Sequence, residues 1–273
     1  MAQDPEFPPA QRPRIKHALP RFATLRTILA LMLREMSTSY GRSPGGYLWA
    51  ILEPVLGIAL LTVVFSVGFR SPALGVSFAM FYATGVLPFG LFNDIANKLG
   101  QALNYSRQLL AYPRVTFVDA LIARFAVNLI TQLLVNYIIL IGILLVFETR
   151  VIPVMTTIAQ AYMLTAFLAA GIGTFNCYMT RRFEIYQRIW SIVTRPLFLI
   201  SCVLFLFDAI PQPYRDWLWY NPLVHVIGLM RRGYYPNYEA TYVSEAYVFG
   251  IGLVTLLAGL LLLKRDHKSA IER

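Results

Sequence analysis

Four polar side chains recur every four residues inside an otherwise apolar run: Arg124, Asn128, Gln132 and Asn136. At 3.6 residues per turn they form one stripe that drifts slowly around a helix. In a bilayer such groups face protein or water rather than lipid. Two readings fit the stripe: interhelical hydrogen bonds worth about 0.6 kcal/mol each, or a hydrophilic path. Catalytic constellations are missing. The sequence has no Gly-Lys-Ser or Gly-Lys-Thr phosphate loop, no HExxH and no GxSxG. His17, His225 and His267 are far apart, and only His225 adjoins an apolar run, where it reads as a structural hydrogen-bonder. Cys177 and Cys202 lie in or beside apolar runs and suggest neither a disulfide framework nor a metal site. The chain therefore reads as a non-enzyme, and any uphill work it does draws on another subunit or an ion gradient. Ion-coupled carriers show inverted repeats with interrupted spans, and no convincing repeat is visible.

The elements that must carry these residues are membrane helices. Of 273 residues, 57% are hydrophobic and 14% charged, against about 25% charged in soluble domains. Several apolar runs exceed eighteen residues, which predicts an all-α polytopic membrane protein. The net charge of +10 fits cytoplasmic loops rather than nucleic-acid binding. Residues 1–20 are polar and Pro-rich and read as a disordered cytoplasmic tail. In 21–40, Phe22, Leu25, Leu29, Met32 and Met36 follow 3-4-3-4 spacing opposite basic residues, the pattern of an amphipathic helix. It suits the membrane interface or a protein partner.

Residues 41–265 then hold six expected spans at about 50–69, 77–96, 117–147, 154–179, 189–207 and 248–263, with 266–273 a short tail. Glu53-Pro54 opens the first span, and its carboxylate needs a partner or water. Asp94 and Lys98 stand in the favourable i,i+4 order at the end of the second. A short helical piece follows and is closed by Pro113. Gly171 and Gly173 in the fourth permit close helix approach. Arg195, in the fifth, can snorkel to lipid phosphate. The stretch Trp217–Met230 is apolar but only about two-thirds of the length needed to cross a 30 Å core, and Asn221-Pro222 interrupts it. If it does not cross, nineteen Lys/Arg lie on the side of the termini and five on the other. That bias puts both termini in the cytoplasm and makes about 211–235 an external re-entrant element.

Three blocks resemble the ABC-2 type polysaccharide export permeases, and the capsular polysaccharide members in particular: LREMSTSYGRSPGGYLWAILEP (Leu33 to Pro54), RPLFLISC (Arg195 to Cys202) and NPLVHVIGLMRRGYYPNY (Asn221 to Tyr238). Their order and spacing fit from about Ala18 to the end. The resemblance implies a type V ABC exporter fold, with an interface helix at about Phe22 to Met36, a coupling helix at about 104–112 and external re-entrant helices at about Pro213 to Tyr235. It implies a homodimer joined to two copies of a separate ATPase subunit that binds the ATP and Mg, so this chain needs no cofactor. The implied cargo is lipid-linked capsular polysaccharide exported across the bacterial inner membrane, with handover to a periplasmic co-polymerase and an outer-membrane channel. On that reading Arg124, Asn128, Gln132 and Asn136, with Tyr82, Phe89 and Tyr137 as sugar-stacking faces, line the path. Arg42, Arg124 and Arg195 draw anionic polymer to the cytoplasmic mouth. Asn104, Arg107, Tyr112 and Arg114 couple to the ATPase. Trp217, Trp219, Asn221, Pro222 and His225 form an outer gate, with Val224 opening to external reagents. Another ABC-2 cargo (O-antigen, teichoic acid, lipid or drug) and a non-transport scaffold are the alternatives.

Overall fold

The computed structural model describes residues 23–39, 46–108 and 115–266. The regular elements among the described residues are all helices, ten α-helices and one short 3-10 turn. Helix α1 (Ala23–Ser39) carries the expected amphipathic segment. Leu25, Leu29, Leu33 and Met36 remain exposed, while Glu35 on the opposite side is buried. The Leu25, Leu29, Leu33 and Met36 stripe is thus left uncovered by this chain, and the side carrying Glu35 is the one that packs. Phe22 and the tail 1–20 lie outside the described residues.

Helix α2 spans Gly46–Gly68 and contains Pro54. The expectation that Glu53-Pro54 opens the first span needs correction: the helix starts at Gly46 and places Glu53 in its third turn. Pro54 forfeits a single backbone bond there. Helix α3 (Phe78–Gly100) begins at the Ser77 cap, whose hydroxyl accepts from Met80 N–H. It is the most buried of the long helices. Ala102–Tyr105 forms a one-turn helix, α4, and turns continue to Gln108. This covers only the first part of the expected coupling helix, since residues 109–114 fall outside the described residues.

Helix α5 (Phe117–Val146) starts in a capping box: Thr116 accepts from Asp119 N–H, and the Asp119 carboxylate accepts from Thr116 N–H. Helix α6 spans Met155–Arg182 and packs along α3 and along α10 (Glu245–Asp266). Its glycines allow this, as expected. A Cβ on Gly173 would lie 2.7 Å from Leu99 Cβ of α3, and Gly171 sits against the backbone of Gly252 in α10.

Among the described residues, five helices are long and apolar enough to cross a bilayer: Leu48–Gly68, Phe78–Gly100, Phe117–Val146, Met155–Arg182 and Glu245–Asp266. The expected continuous span 189–207 is different. Helix α7 (Tyr186–Ile200) has 15 residues, a rise of about 22 Å. The chain then turns through Cys202, whose φ of 61° lies in the left-handed region that ends helices, and enters the 3-10 turn Phe207–Ala209. A periodic apolar run does not reveal that break. The Trp217–Met230 stretch divides into α8 (Tyr214–Trp219) and α9 (Pro222–Tyr234). Asn221 caps α9 by accepting from Leu223 N–H, and Pro222 occupies its first turn. Helix α9 packs among α3, α6 and α10, and its residues are almost all buried.

Candidate functional site

The end where α3 finishes and α5 begins is built around Arg124. Its Nε–H donates to the Lys98 carbonyl at 2.7 Å, and Nη1 bonds the Glu35 carboxylate at 3.1 Å. The guanidinium lies 4.4 Å from the Tyr105 ring centre, with the Arg34 guanidinium 5.8 Å from the same centre. The Tyr105 hydroxyl donates to Thr38 Oγ1. One arginine thereby ties α1, α3, α4 and α5 together. Lys98 and Asp94 form the expected pair at 2.9 Å. Asn104 and Arg107 are exposed beside this node. Arg42, Tyr112 and Arg114 lie outside the described residues. Glu35 and Tyr105 were not legible as site residues: the ion pair links positions 89 apart, and one chain carries no signal of such pairing.

The α5 stripe continues from Arg124 into the bundle. Asn128 is buried and donates to the Arg124 carbonyl at 2.7 Å, leaving its own Oδ1 without a partner among the described residues. Asn136 is buried and donates to the Leu87 carbonyl of α3 at 3.4 Å. Gln132 between them is half-buried. Asn136 therefore faces α3. Tyr82 and Phe89 of α3 are buried too. Tyr82 packs with Phe65, Phe78 and Phe81, and Phe89 meets Phe198 of α7 edge-on at 5.2 Å. Tyr137 is 64% exposed and stands apart from these. Arg188, Ser191 and Arg195 are exposed on α7.

The opposite end gathers α8, α9 and the start of α10. Trp217 is 80% exposed. Trp219 turns inward, donating from Nε1 to the Tyr242 carbonyl at 3.1 Å and packing on His225 and Tyr247. Asn221 donates to the Ile200 carbonyl and to Ser201 Oγ, which fastens the α8–α9 corner to the end of α7. His225 is fully buried. Its Nδ1 accepts from Ser244 N–H at 3.1 Å, so Nε2 carries the proton and donates to the Trp219 carbonyl at 2.8 Å. Burial lowers its pKa and favours this neutral form. Val224, an expected reporter of opening, is fully buried against Cys202 and Phe207. External labelling there requires this end to open.

Arg231 is the residue that the sequence reading misplaced. It is one of the five Lys/Arg counted on the outer side, with Arg232, yet it is completely buried. Its two terminal nitrogens donate to the Phe205 and Val203 carbonyls, both at 2.8 Å, and its guanidinium lies 4.5 Å from the centre of the Phe81 ring. Nε has no partner among the described residues. The nearby Asp208 accepts from Tyr238 at 2.9 Å. Burial pushes the Tyr242 hydroxyl up to about 12, so it stays neutral and supplies no counter-charge. The signal was present: Arg231 continues the buried face of Val224 and Ile227 at helical spacing. Its neighbour Arg232 points outward to Glu245 at 3.4 Å.

Comparison with known proteins adds a family. Residues 26–235 match the family described as ABC-2 type transporter. The chain is 32% identical to the polysialic acid transport protein KpsM of Escherichia coli over 245 residues, 90% of this chain and 95% of that one. It is 25% identical to the capsule polysaccharide export inner-membrane protein CtrC of Neisseria meningitidis over 243 residues, 89% of this chain and 92% of that one. A capsule polysaccharide export inner-membrane protein of Haemophilus influenzae, BexB, is 23% identical over 243 residues, again 89% and 92%.

Proposed function

Because this chain belongs to the ABC-2 type transporter family, we propose that it is the membrane permease subunit of an ATP-driven exporter of lipid-linked capsular polysaccharide in the bacterial inner membrane. The observation that carries this is the match to KpsM across 95% of that protein's length. In this reading two copies of the chain join two copies of a separate ATPase subunit, which holds the ATP and Mg. The polymer then passes to a periplasmic co-polymerase and an outer-membrane channel.

The topology proposed is type V, with six crossings and both termini cytoplasmic. Helix α7 and the turn after it make the fifth crossing. Helices α8 and α9 form the external re-entrant element, and α1 lies in the cytoplasmic interface with its uncovered apolar face in lipid. Polar groups at the two ends support this arrangement. The Arg124 node sits beside residues 101–108, and Asn104, Arg107, Tyr112 and Arg114 are the residues that meet the ATPase in this reading. Its rigid links to α1 and α5 carry ATPase closure into the spans. Arg42, Arg124 and Arg195 draw the anionic polymer to the cytoplasmic mouth, and Arg124 also holds this assembly. Asn128, Gln132 and Asn136 supply polar groups along the route, and Tyr82, Phe89 and Tyr137 supply aromatic faces. The α8–α9 corner, with Trp217, Trp219, Asn221, Pro222 and His225, closes the outer end.

Deleting the gene in its host tests the reading. Surface capsule should disappear while lipid-linked polymer accumulates inside. Unchanged surface capsule would overturn it.

A further inference from the structure

Cross-helix contacts set α7, and α2 running antiparallel to α3 across the 69–77 connection, in register with α3. Phe65 of α2 packs on Tyr82 of α3 at 5.2 Å. Trp190 of α7 bonds Asn97 of α3 at 2.8 Å, and Phe198 meets Phe89 at 5.2 Å. Eight residues separate 190 from 198, and eight separate 97 from 89, so α7 runs antiparallel to α3 in constant register. Counting along each helix at about 1.5 Å per residue, Glu53 lies level with Asp94 and Arg195 level with Phe92, about 3 Å apart in depth.

Both side chains are exposed on the protomer, and neither has a partner among the described residues. Asp94, on the same level, is already paired with Lys98. Glu53 sits about 10 Å into α2 from Gly46, and Arg195 lies about 7 Å beyond Trp190. A carboxylate and a guanidinium at such depth are held by protein or water and not by lipid. Rotation about the membrane normal preserves depth, so two groups meet across a two-fold axis only if their depths match. These do, and their charges are opposite.

We infer that Glu53 of one copy pairs with Arg195 of a second copy, in two symmetric ion pairs that fasten α2 of each protomer to α7 of the other. This assigns Arg195 a dimer-pairing role in place of a lipid-phosphate contact. It rests on the homodimer of the proposed function but not on the cargo. It also explains why α2 carries a carboxylate on a surface that its own chain leaves bare. Depth matching to within about 3 Å is well inside the reach of the two side chains.

The test uses two tagged versions of the full chain, one E53C and one R195C, co-expressed in membranes and treated with a short bis-maleimide. A covalent species carrying both tags is expected, absent when both copies carry E53C or both R195C. In parallel, E53R and R195E should each lower dimer recovery and surface polymer about tenfold or more, and E53R/R195E should recover to within about threefold of the parent. If the tagged copies co-purify without cross-linking, or the double reversal stays as poor as the single ones, the pairing is wrong and the proposed function stands. Loss of capsule export by the wild-type control alone would fault the proposed function and leave the cross-linking result intact.

Discussion

Replacing Arg231 with Met tests whether a buried charge without a carboxylate partner stabilises this fold. Met replaces the Arg231 side chain as far as Nε, so packing along the stem is largely retained while the group over Phe81 is removed. Two charge-assisted bonds to the Val203 and Phe205 carbonyls are lost, each about 1.5–3 kcal/mol. The contact with the Phe81 ring adds about 1–2 kcal/mol. Against this stands relief of the guanidinium's burial, an effective several kcal/mol. The balance favours the wild type by about 2–4 kcal/mol, because the variant leaves two carbonyls facing an apolar side chain. In detergent, the thermal midpoint should fall by about 4–16 °C at about 2–4 °C per kcal/mol. R231K should also destabilise, since an ammonium lacks the planar fork that serves two carbonyls at once. In a double-mutant cycle, F81L should lose about 1–2 kcal/mol more in the parent than in R231M. An unchanged or raised midpoint for R231M would refute the reasoning and show that desolvation dominates.

Three further outcomes follow from the same geometry. E35Q keeps the shape of the Arg124 contact but removes its charge, so it should cost about 1–3 kcal/mol and lower transported polymer per ATP hydrolysed; an unchanged ratio would remove the node from the coupling route. His225 has a lowered folded pKa, so the unfolded chain binds its proton first on acidification. Stability from this group is full above its unfolded value near 6.5 and declines as pH falls from there toward the folded value; midpoints measured across this range should show the decline in the parent and flatten in H225Q. G173A brings a Cβ to 2.7 Å from Leu99 Cβ and should cost about 1–3 kcal/mol, whereas G90A, with nothing within 4 Å, should be neutral or up to about 1 kcal/mol stabilising, both read by thermal unfolding.

The sequence exposes those features that are periodic or local. Spans appear where long apolar runs force helices, and the Asp94–Lys98 pair, the Gly171 and Gly173 approaches and the Asn221-Pro222 division all follow from spacing or backbone chemistry. What it hides is tertiary. The end of α7 at Ile200 depends on a strap whose carbonyls are held by Arg231, 26 and 28 residues away. Arg124 looked like a free cation in a polar stripe, yet it is engaged by Glu35, the Lys98 carbonyl and Tyr105. The Asn136 amide turned toward α3, a direction that helical periodicity alone does not assign. Arg231 was readable in principle from its place on the face of α9, but its adjacency to Arg232 made the pair resemble an ordinary loop charge cluster.

The central claim is that this permease moves lipid-linked capsular polymer with energy from a separate ATPase. Its most direct test is transport in proteoliposomes holding the full chain and that ATPase, with labelled lipid-linked polymer supplied on the ATPase side. The account predicts that ATP makes the polymer inaccessible to an added glycosidase, and that omitting either subunit abolishes this protection. ATP hydrolysis by the assembled complex with the polymer still fully accessible would contradict it.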